Sequence, residues 1–223
     1  MKQSDYTITS LPKDVAVKIA SCLEEPDLYS LACCSRDCRE LFGSDYLWEP
    51  LFKERWPHLY EAALEDPDFK GWRRFYMKQH EKMRDQAASV VKFLKQCSQF
   101  ESLEVTDYLR AIECLKSMQF GFKDVQMLLF KPKMNVLLNL VGLHFCLDCL
   151  QVPALQVVEA LQSSKISNRQ VCVKWYRGRL FHRMQDEYRS RCVSLEDLVT
   201  AKEKEVLWVL GRELLRAKIF ILS

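Results

Sequence analysis

The chain has 223 residues, of which 48% are hydrophobic and 28% are charged, so it has enough apolar material for one or two domains with a buried core. Aromatic residues make up 11% of the chain, which excludes disorder as its dominant state, because disordered chains contain few aromatic residues. The net charge of +3 is too small for bulk electrostatics to predict a nucleic-acid-binding protein.

The ten cysteines and the first residues predict an intracellular protein. Residues 1–10 contain no apolar stretch of the kind that forms a signal peptide, and disulfides persist mainly in oxidising compartments. The cysteines are therefore predicted to be reduced thiols, mostly buried, in the nucleus and/or the cytoplasm. The most apolar stretch, residues 136–150, is shorter than the roughly 18–20 residues that cross a bilayer, so no membrane span is expected.

Residues 8–57 are the first of three predicted regions, and their pattern predicts four short helices. Pro12 stands where a helix begins, since its fixed φ suits the first helical position. Leu28, Leu31 and Ala32 form a short stripe on the second helix. The apolar residues after Pro12 are spaced as on one helical face: Val15, Ile19, Cys22 and Leu23.

The third and fourth helices are predicted from their ends. Ser35 is expected to cap the third helix, which ends near Phe42, with Gly43 just after its C-cap. Asp45 is expected to cap the fourth helix, which Pro57 ends. Four short helices in about fifty residues bury little surface, so a partner that covers one face would stabilise this unit.

The second region, residues 58–100, is predicted to be a connecting helix or linker. Its apolar residues recur at helical spacing: Trp72, Phe75, Tyr76 and Met83. The third region, residues 101–223, is predicted to begin with helices. One of them, in residues 134–150, is apolar nearly all round and should therefore be central.

The later part of the third region carries strand patterns. Residues 169–176 alternate in polarity, which predicts a strand, and residues 180–184 and 188–193 are predicted to be strands beside it. Residues 195–215 are predicted to be a helix, and residues 218–222 either a strand or a buried tail. The expected fold class is mainly α, with a small C-terminal β-hairpin or three-stranded element.

Residues 11–48 resemble an F-box along their whole length, without a gap. The residues that carry the resemblance are Leu11-Pro12, Ile19, Leu23, Pro26-Asp27-Leu28, Leu31, Cys34-Ser35-Arg36, Arg39, Leu41 and Leu47-Trp48. One departure is Cys38, which stands where the family often has Trp and puts the affinity for a partner in question more than the fold. The short chain with a mixed C-terminal region is similar to many plant members.

The resemblance implies a substrate-recognition subunit of a Skp–cullin–F-box ubiquitin ligase, a protein that is not itself an enzyme and needs no cofactor. F-boxes bind a Skp-type adaptor, and through it a cullin, while the rest of the chain presents an unknown protein substrate. Trp48 is expected to pack within the module. By the resemblance, the adaptor-facing surface is assigned to Leu11, Pro12, Val15, Ile19, Leu28 and Leu31.

Residues 169–191 form a basic segment with seven Lys or Arg and four interleaved aromatic residues. Three interpretations remain open: a solvated face of a hairpin, a contact with an acidic or phosphorylated segment of a protein substrate, or a contact with single-stranded nucleic acid. The last is the alternative function. The second assigns substrate binding to Tyr176, Arg177, Arg179 and Arg183.

Metal-binding and catalytic patterns are weak. His144, Cys146 and Cys149 have the local spacing of metal ligands, but a structural zinc site usually needs a second pair, so core packing is favoured and no metal is expected. The six glycines form no phosphate loop. No motif of a serine hydrolase or a zinc protease occurs, and no catalytic residue is assigned.

Overall fold

The computed structural model describes residues 11–23, 25–66, 69–97, 102–177, 187–200, 210 and 217–221. The chain divides into two compact units, Met1–Glu81 and Lys82–Ser223. The finer division at residues 57 and 100 stays a prediction.

The first unit is helical. It contains α1 (Lys13–Ala20), α2 (Glu25–Cys34), α3 (Arg36–Phe42), α4 (Asp45–Arg55), α5 (Pro57–Leu64) and the beginning of α6 (Trp72–Cys97). The four predicted helices are present, and Pro57, predicted to end the fourth, also begins α5, because its fixed φ suits a first helical position.

Two predicted caps in the first unit had different outcomes. The Ser35 hydroxyl accepts a hydrogen bond from the Cys38 backbone N–H over 3.1 Å, as expected of the α3 N-cap. The Asp45 prediction was wrong, because Ser44 is the N-cap of α4. The Asp45 carboxylate instead accepts a hydrogen bond from the Trp72 N–H over 2.7 Å, which places it at the start of α6.

Aromatic rings form the core of the first unit. Trp48, Trp56 and Tyr76 are all buried, and the Tyr76 ring lies 5.2 Å from that of Trp48 and 5.0 Å from that of Trp56. The buried Arg55 donates to the Tyr76 hydroxyl over 2.6 Å. Its guanidinium also stacks 4.3 Å above the Trp56 ring. These contacts join α4 to the first turns of α6.

The helices of the second unit surround one buried segment. They are the rest of α6, α7 (Val105–Ser117), α8 (Phe122–Leu128), α9 (Val136–His144), a π-helical turn (Phe145–Cys149), α10 (Ala154–Ser163) and α11 (Leu195–Val199). Every residue of α9 is buried, which confirms the predicted central helix. No helix in the described part of the chain is long and apolar enough to cross a membrane.

The second unit also holds an antiparallel sheet of four strands: β1 (Ser102–Glu104), β2 (Gln170–Arg177), β3 (Glu187–Ser194) and β4 (Ala217–Ile221), in the order β1-β4-β2-β3. Strands were predicted near the positions of β2 and β3, and residues 218–222, left open as a strand or a buried tail, contain most of β4. The strand β1 was not predicted, because three residues are too few to show an alternating pattern.

Two further predicted elements of the second unit lie partly or wholly outside the described residues. The predicted strand at residues 180–184 lies outside the described residues. Of the predicted helix at residues 195–215, α11 forms the first five residues, with Thr200 as its C-cap, and Leu210 is helical. The other residues after 200 are outside the described part.

The cysteines differ from their prediction. All ten are free thiols, but the expectation that they are mostly buried is wrong. Cys38, Cys146 and Cys172 are buried, whereas four others are exposed and three are half-buried. The exposed ones are Cys22, Cys33, Cys34 and Cys192. A cysteine on an apolar helical pattern can lie on either face, because the pattern itself does not say which face is covered.

Candidate functional site on helix α1

Helix α1 has two alanines on its buried face and two larger apolar residues on its exposed face. Ala16 and Ala20 are 1% and 0% exposed, whereas Val15 and Ile19 are each 41% exposed. Residues four apart share a helical face, so each pair defines one face. Of the predicted stripe of Val15, Ile19, Cys22 and Leu23, the first two lie on the exposed face of α1. Cys22 and Leu23 follow the helix, which ends at Ala20.

Small inward side chains suit the position of α1. This helix packs against α3, in which Cys38, Leu41 and Phe42 are buried. Small residues let two helices approach closely, and a larger side chain at Ala16 would have to displace packed neighbours. The buried face of α1 is thus formed by Ala16 and Ala20.

The exposed stripe begins before the helix does. Leu11 is 38% exposed, and Pro12, the N-cap residue of α1, is also exposed. We call Leu11, Pro12, Val15 and Ile19 the α1 stripe. Among the described residues, seven large hydrophobic side chains are exposed, and three of them belong to this stripe. Neighbouring exposed apolar side chains make the α1 stripe a candidate interaction surface, whereas single scattered ones need no explanation.

The other two residues assigned to the adaptor surface lie elsewhere. Leu28 is 1% exposed and packs inside the first unit, since the interior of so small a unit takes up the apolar side chains that reach it. Leu31 is half-buried. The adaptor-facing role of all six residues stays a prediction.

Trp48 is packed within the module. It is fully buried, and its indole Nε1–H donates to the Phe42 carbonyl over 2.8 Å. This hydrogen bond satisfies a carbonyl at the C-terminal end of α3, where the helix itself provides no partner. The end of α3 is thereby fixed to α4.

The same stretch of chain is the one that a family comparison identifies. Residues 8–54 match the F-box-like family. The F-box-like domain contains the α1 stripe, all of α1 to α3, and all of α4 except its last residue, Arg55. Domains of this kind are protein-interaction modules and are generally not catalytic. Comparisons of the chain with curated proteins and with solved structures gave no match.

The basic segment is only partly described. Arg169 is half-buried, and its guanidinium donates to the Met134 carbonyl over 2.6 Å and to the Asn139 side-chain oxygen over 2.5 Å. It therefore anchors the residue before β2 and is not a free surface charge. The Lys174 amine lies 4.6 Å above the Phe220 ring.

The four residues predicted to bind substrate stay a prediction. Tyr176 and Arg177 belong to β2, whereas Arg179 and Arg183 lie outside the described residues. The nucleic-acid alternative draws on the same segment and is likewise untested.

His144 and Cys146 lie in the core of the second unit, whereas Cys149 is half-buried. The Tyr108 hydroxyl lies 2.8 Å from His144 Nδ1, and both residues are buried. Burial lowers the pKa of His144, partly opposed by the charge of Asp148, and burial raises the pKa of Cys146. No group of three or more potential metal ligands occurs among the described residues.

Proposed function

We propose that the chain is the substrate-recognition subunit of a Skp–cullin–F-box ubiquitin ligase. In this proposal the α1 stripe of the F-box-like domain binds a Skp-type adaptor, and through it a cullin. The observation that carries the proposal is the outward position of Leu11, Val15 and Ile19 within the residues that match the family.

The energetics of the α1 stripe support a binding role. Full burial of a Val, Leu or Ile side chain contributes roughly 1.5–3 kcal/mol, and a few anchors dominate most protein interfaces. The stripe exposes three such side chains, one just before α1 and two on one face of it. Because these side chains are 38–41% exposed, an adaptor that covers them gains part of this free energy at each position.

The remainder of the chain would recruit the target. By holding a protein substrate near a ubiquitin-conjugating enzyme, the complex raises the effective concentration of the substrate's lysines. No catalytic step is assigned to this chain, in keeping with the usual role of F-box domains. The resemblance to plant members and the nuclear or cytoplasmic location stay predictions.

Co-purification with a Skp-type adaptor tests the proposal. We expect Val15→Asp and Ile19→Asp each to weaken retention by roughly tenfold or more, since a charge would replace an apolar anchor at the interface. Leu155→Asp is the matched control, because Leu155 is 70% exposed, aliphatic, and lies in the second unit.

A folding control and the wild-type chain are needed to interpret the co-purification. Circular dichroism must show that each variant keeps the helical content of the wild type. Folded α1-stripe variants that bind the adaptor as well as the wild type does would overturn the proposed surface. A wild-type chain that is not retained at all would overturn the proposed function.

A further inference from the structure

Two cysteines lie directly opposite each other in the sheet. Cys172 on β2 pairs with Cys192 on β3 in the antiparallel register. The Leu195 N–H donates to the Arg169 carbonyl over 2.9 Å, so these two opposite residues form a hydrogen-bonded pair. Hydrogen-bonded and non-hydrogen-bonded pairs alternate along an antiparallel ladder. The 172–192 pair, three residues further along, is therefore non-hydrogen-bonded, and in such pairs the opposite Cα atoms are about 4.5 Å apart.

This geometry suits a covalent bond between the two sulfur atoms. Disulfides join residues whose Cα atoms are about 4.4–6.8 Å apart, and opposite side chains of an antiparallel pair project from the same face of the sheet. The neighbouring Cys192 thiol also contributes to the raised pKa of Cys172, as a group close in space does. The two sulfurs are thus neighbours before any reaction.

We propose that Cys172 and Cys192 form a reversible cross-strand disulfide when the chain meets a small-molecule disulfide such as glutathione disulfide. First, the Cys192 thiolate attacks one sulfur of the oxidant, forms a mixed disulfide and releases one glutathione, which takes up a proton. The Cys172 thiol then loses its proton and attacks the Cys192 sulfur, and the second glutathione leaves. Two protein thiols are oxidised while one glutathione disulfide is reduced to two thiols.

The different exposure of the two thiols gives each a separate role. Cys192 is exposed, so a dissolved oxidant reaches it, whereas Cys172 is 7% exposed. Burial raises the pKa of Cys172 to about 11, which makes it a poor first nucleophile. Once Cys192 carries the mixed disulfide, proximity gives Cys172 a high effective concentration for the second step.

The bond would link the two strands that lead to and from residues 178–186. These residues form the middle of the basic segment, which contains Arg179 and Arg183. Oxidation would therefore fix the ends of the stretch for which substrate contact was predicted. The disulfide proposal does not depend on the α1 stripe or on adaptor binding, and it stands or falls separately.

Peptide mapping of the full-length chain tests the proposal. The chain is incubated with glutathione disulfide under native conditions, free thiols are alkylated, and trypsin is added. We expect peptide 170–174 linked to peptide 192–202 as the main disulfide product, and dithiothreitol should remove the link. In Cys172→Ser, Cys192 should stay as the mixed disulfide with glutathione. In Cys192→Ser, Cys172 should stay unmodified.

A control in denaturant separates folded geometry from random pairing. The link should be strongly favoured in the native chain and lose its preference when oxidation takes place in urea. Equal yields in both conditions, or a native chain in which Cys192 accumulates as the mixed disulfide without the link, would overturn the proposal. Because both samples are wild type, this comparison does not require the variants to fold.

Thermal unfolding provides a second measurement. Oxidation should raise the Tm of the wild type by roughly 5 °C or more, since the bond constrains the unfolded chain, and it should leave the Tm of Cys192→Ser unchanged. An equal rise in both proteins would count against a bond between these two strands.

Discussion

The two faces of α1 predict very different costs for the same substitution at neighbouring positions. Val15 is 41% exposed, so Val15→Asp loses only part of the roughly 1.5–3 kcal/mol that full burial contributes. The new carboxylate lies in the first turn of the helix, where it gains about 0.3–1 kcal/mol from the helix dipole. We therefore expect the free energy of unfolding to fall by only about 1 kcal/mol.

Ala16→Asp should be far more costly. Ala16 is 1% exposed, so the carboxylate would be buried beside α3, whose buried residues provide no opposite charge to compensate it, which costs about 3 kcal/mol or more. That is a large share of the roughly 5–15 kcal/mol that stabilises a typical domain. The residue chemistry is the same in both variants, and only the direction of the side chain differs.

Urea unfolding followed by far-UV circular dichroism measures both variants. The reasoning requires the loss for Ala16→Asp to exceed that for Val15→Asp by about 2 kcal/mol. If the two losses are equal, or if Val15→Asp is the more damaging, Val15 does not face outward and the α1 stripe is not a free surface.

Three further predictions concern contacts elsewhere in the chain. Trp48→Phe removes the donor to the buried Phe42 carbonyl, and we expect a loss of about 1–3 kcal/mol in urea unfolding. Gly71 has φ 103°, so Gly71→Ala should cost about 1–3 kcal/mol in the same assay. Burial lowers the pKa of His144, so the unfolded chain binds the proton more tightly. The Tm should therefore fall as the pH drops below about 6.5.

Each of these predictions has an outcome that contradicts it. A Trp48→Phe variant as stable as the wild type would mean that the indole donor contributes nothing. An unchanged Gly71→Ala variant would refute the left-handed backbone at that residue. The acid-dependent loss of Tm should be smaller in His144→Gln, and an identical pH profile in both proteins would assign the effect to other groups.

Local sequence rules predicted the helical elements of the first unit well. The Ser35 cap, the helix that Pro57 ends and the apolar spacing in α1 all depend on residues close in sequence. The local sequence is therefore sufficient to predict them. The same rules missed β1, which is only three residues long and is defined by its pairing with β4. A strand of that length has no periodicity to detect.

Asp45 shows how a local rule is overruled at a distance. Its position before an apolar run predicts an N-cap, but its carboxylate bonds to the Trp72 N–H, which is 27 residues away. A polar group bonds to the donor that the folded chain brings near, and sequence spacing does not reveal which donor that is.

By itself, the sequence determined that α1 is a helix with Val15 and Ile19 on one apolar face and that residues 11–48 resemble an F-box. Only the tertiary structure decided that the alanine face is covered and that Val15 and Ile19 remain outside. It likewise placed Cys172 opposite Cys192. The reason is physical: periodicity follows from neighbouring residues, whereas burial and strand register depend on which distant elements pack together.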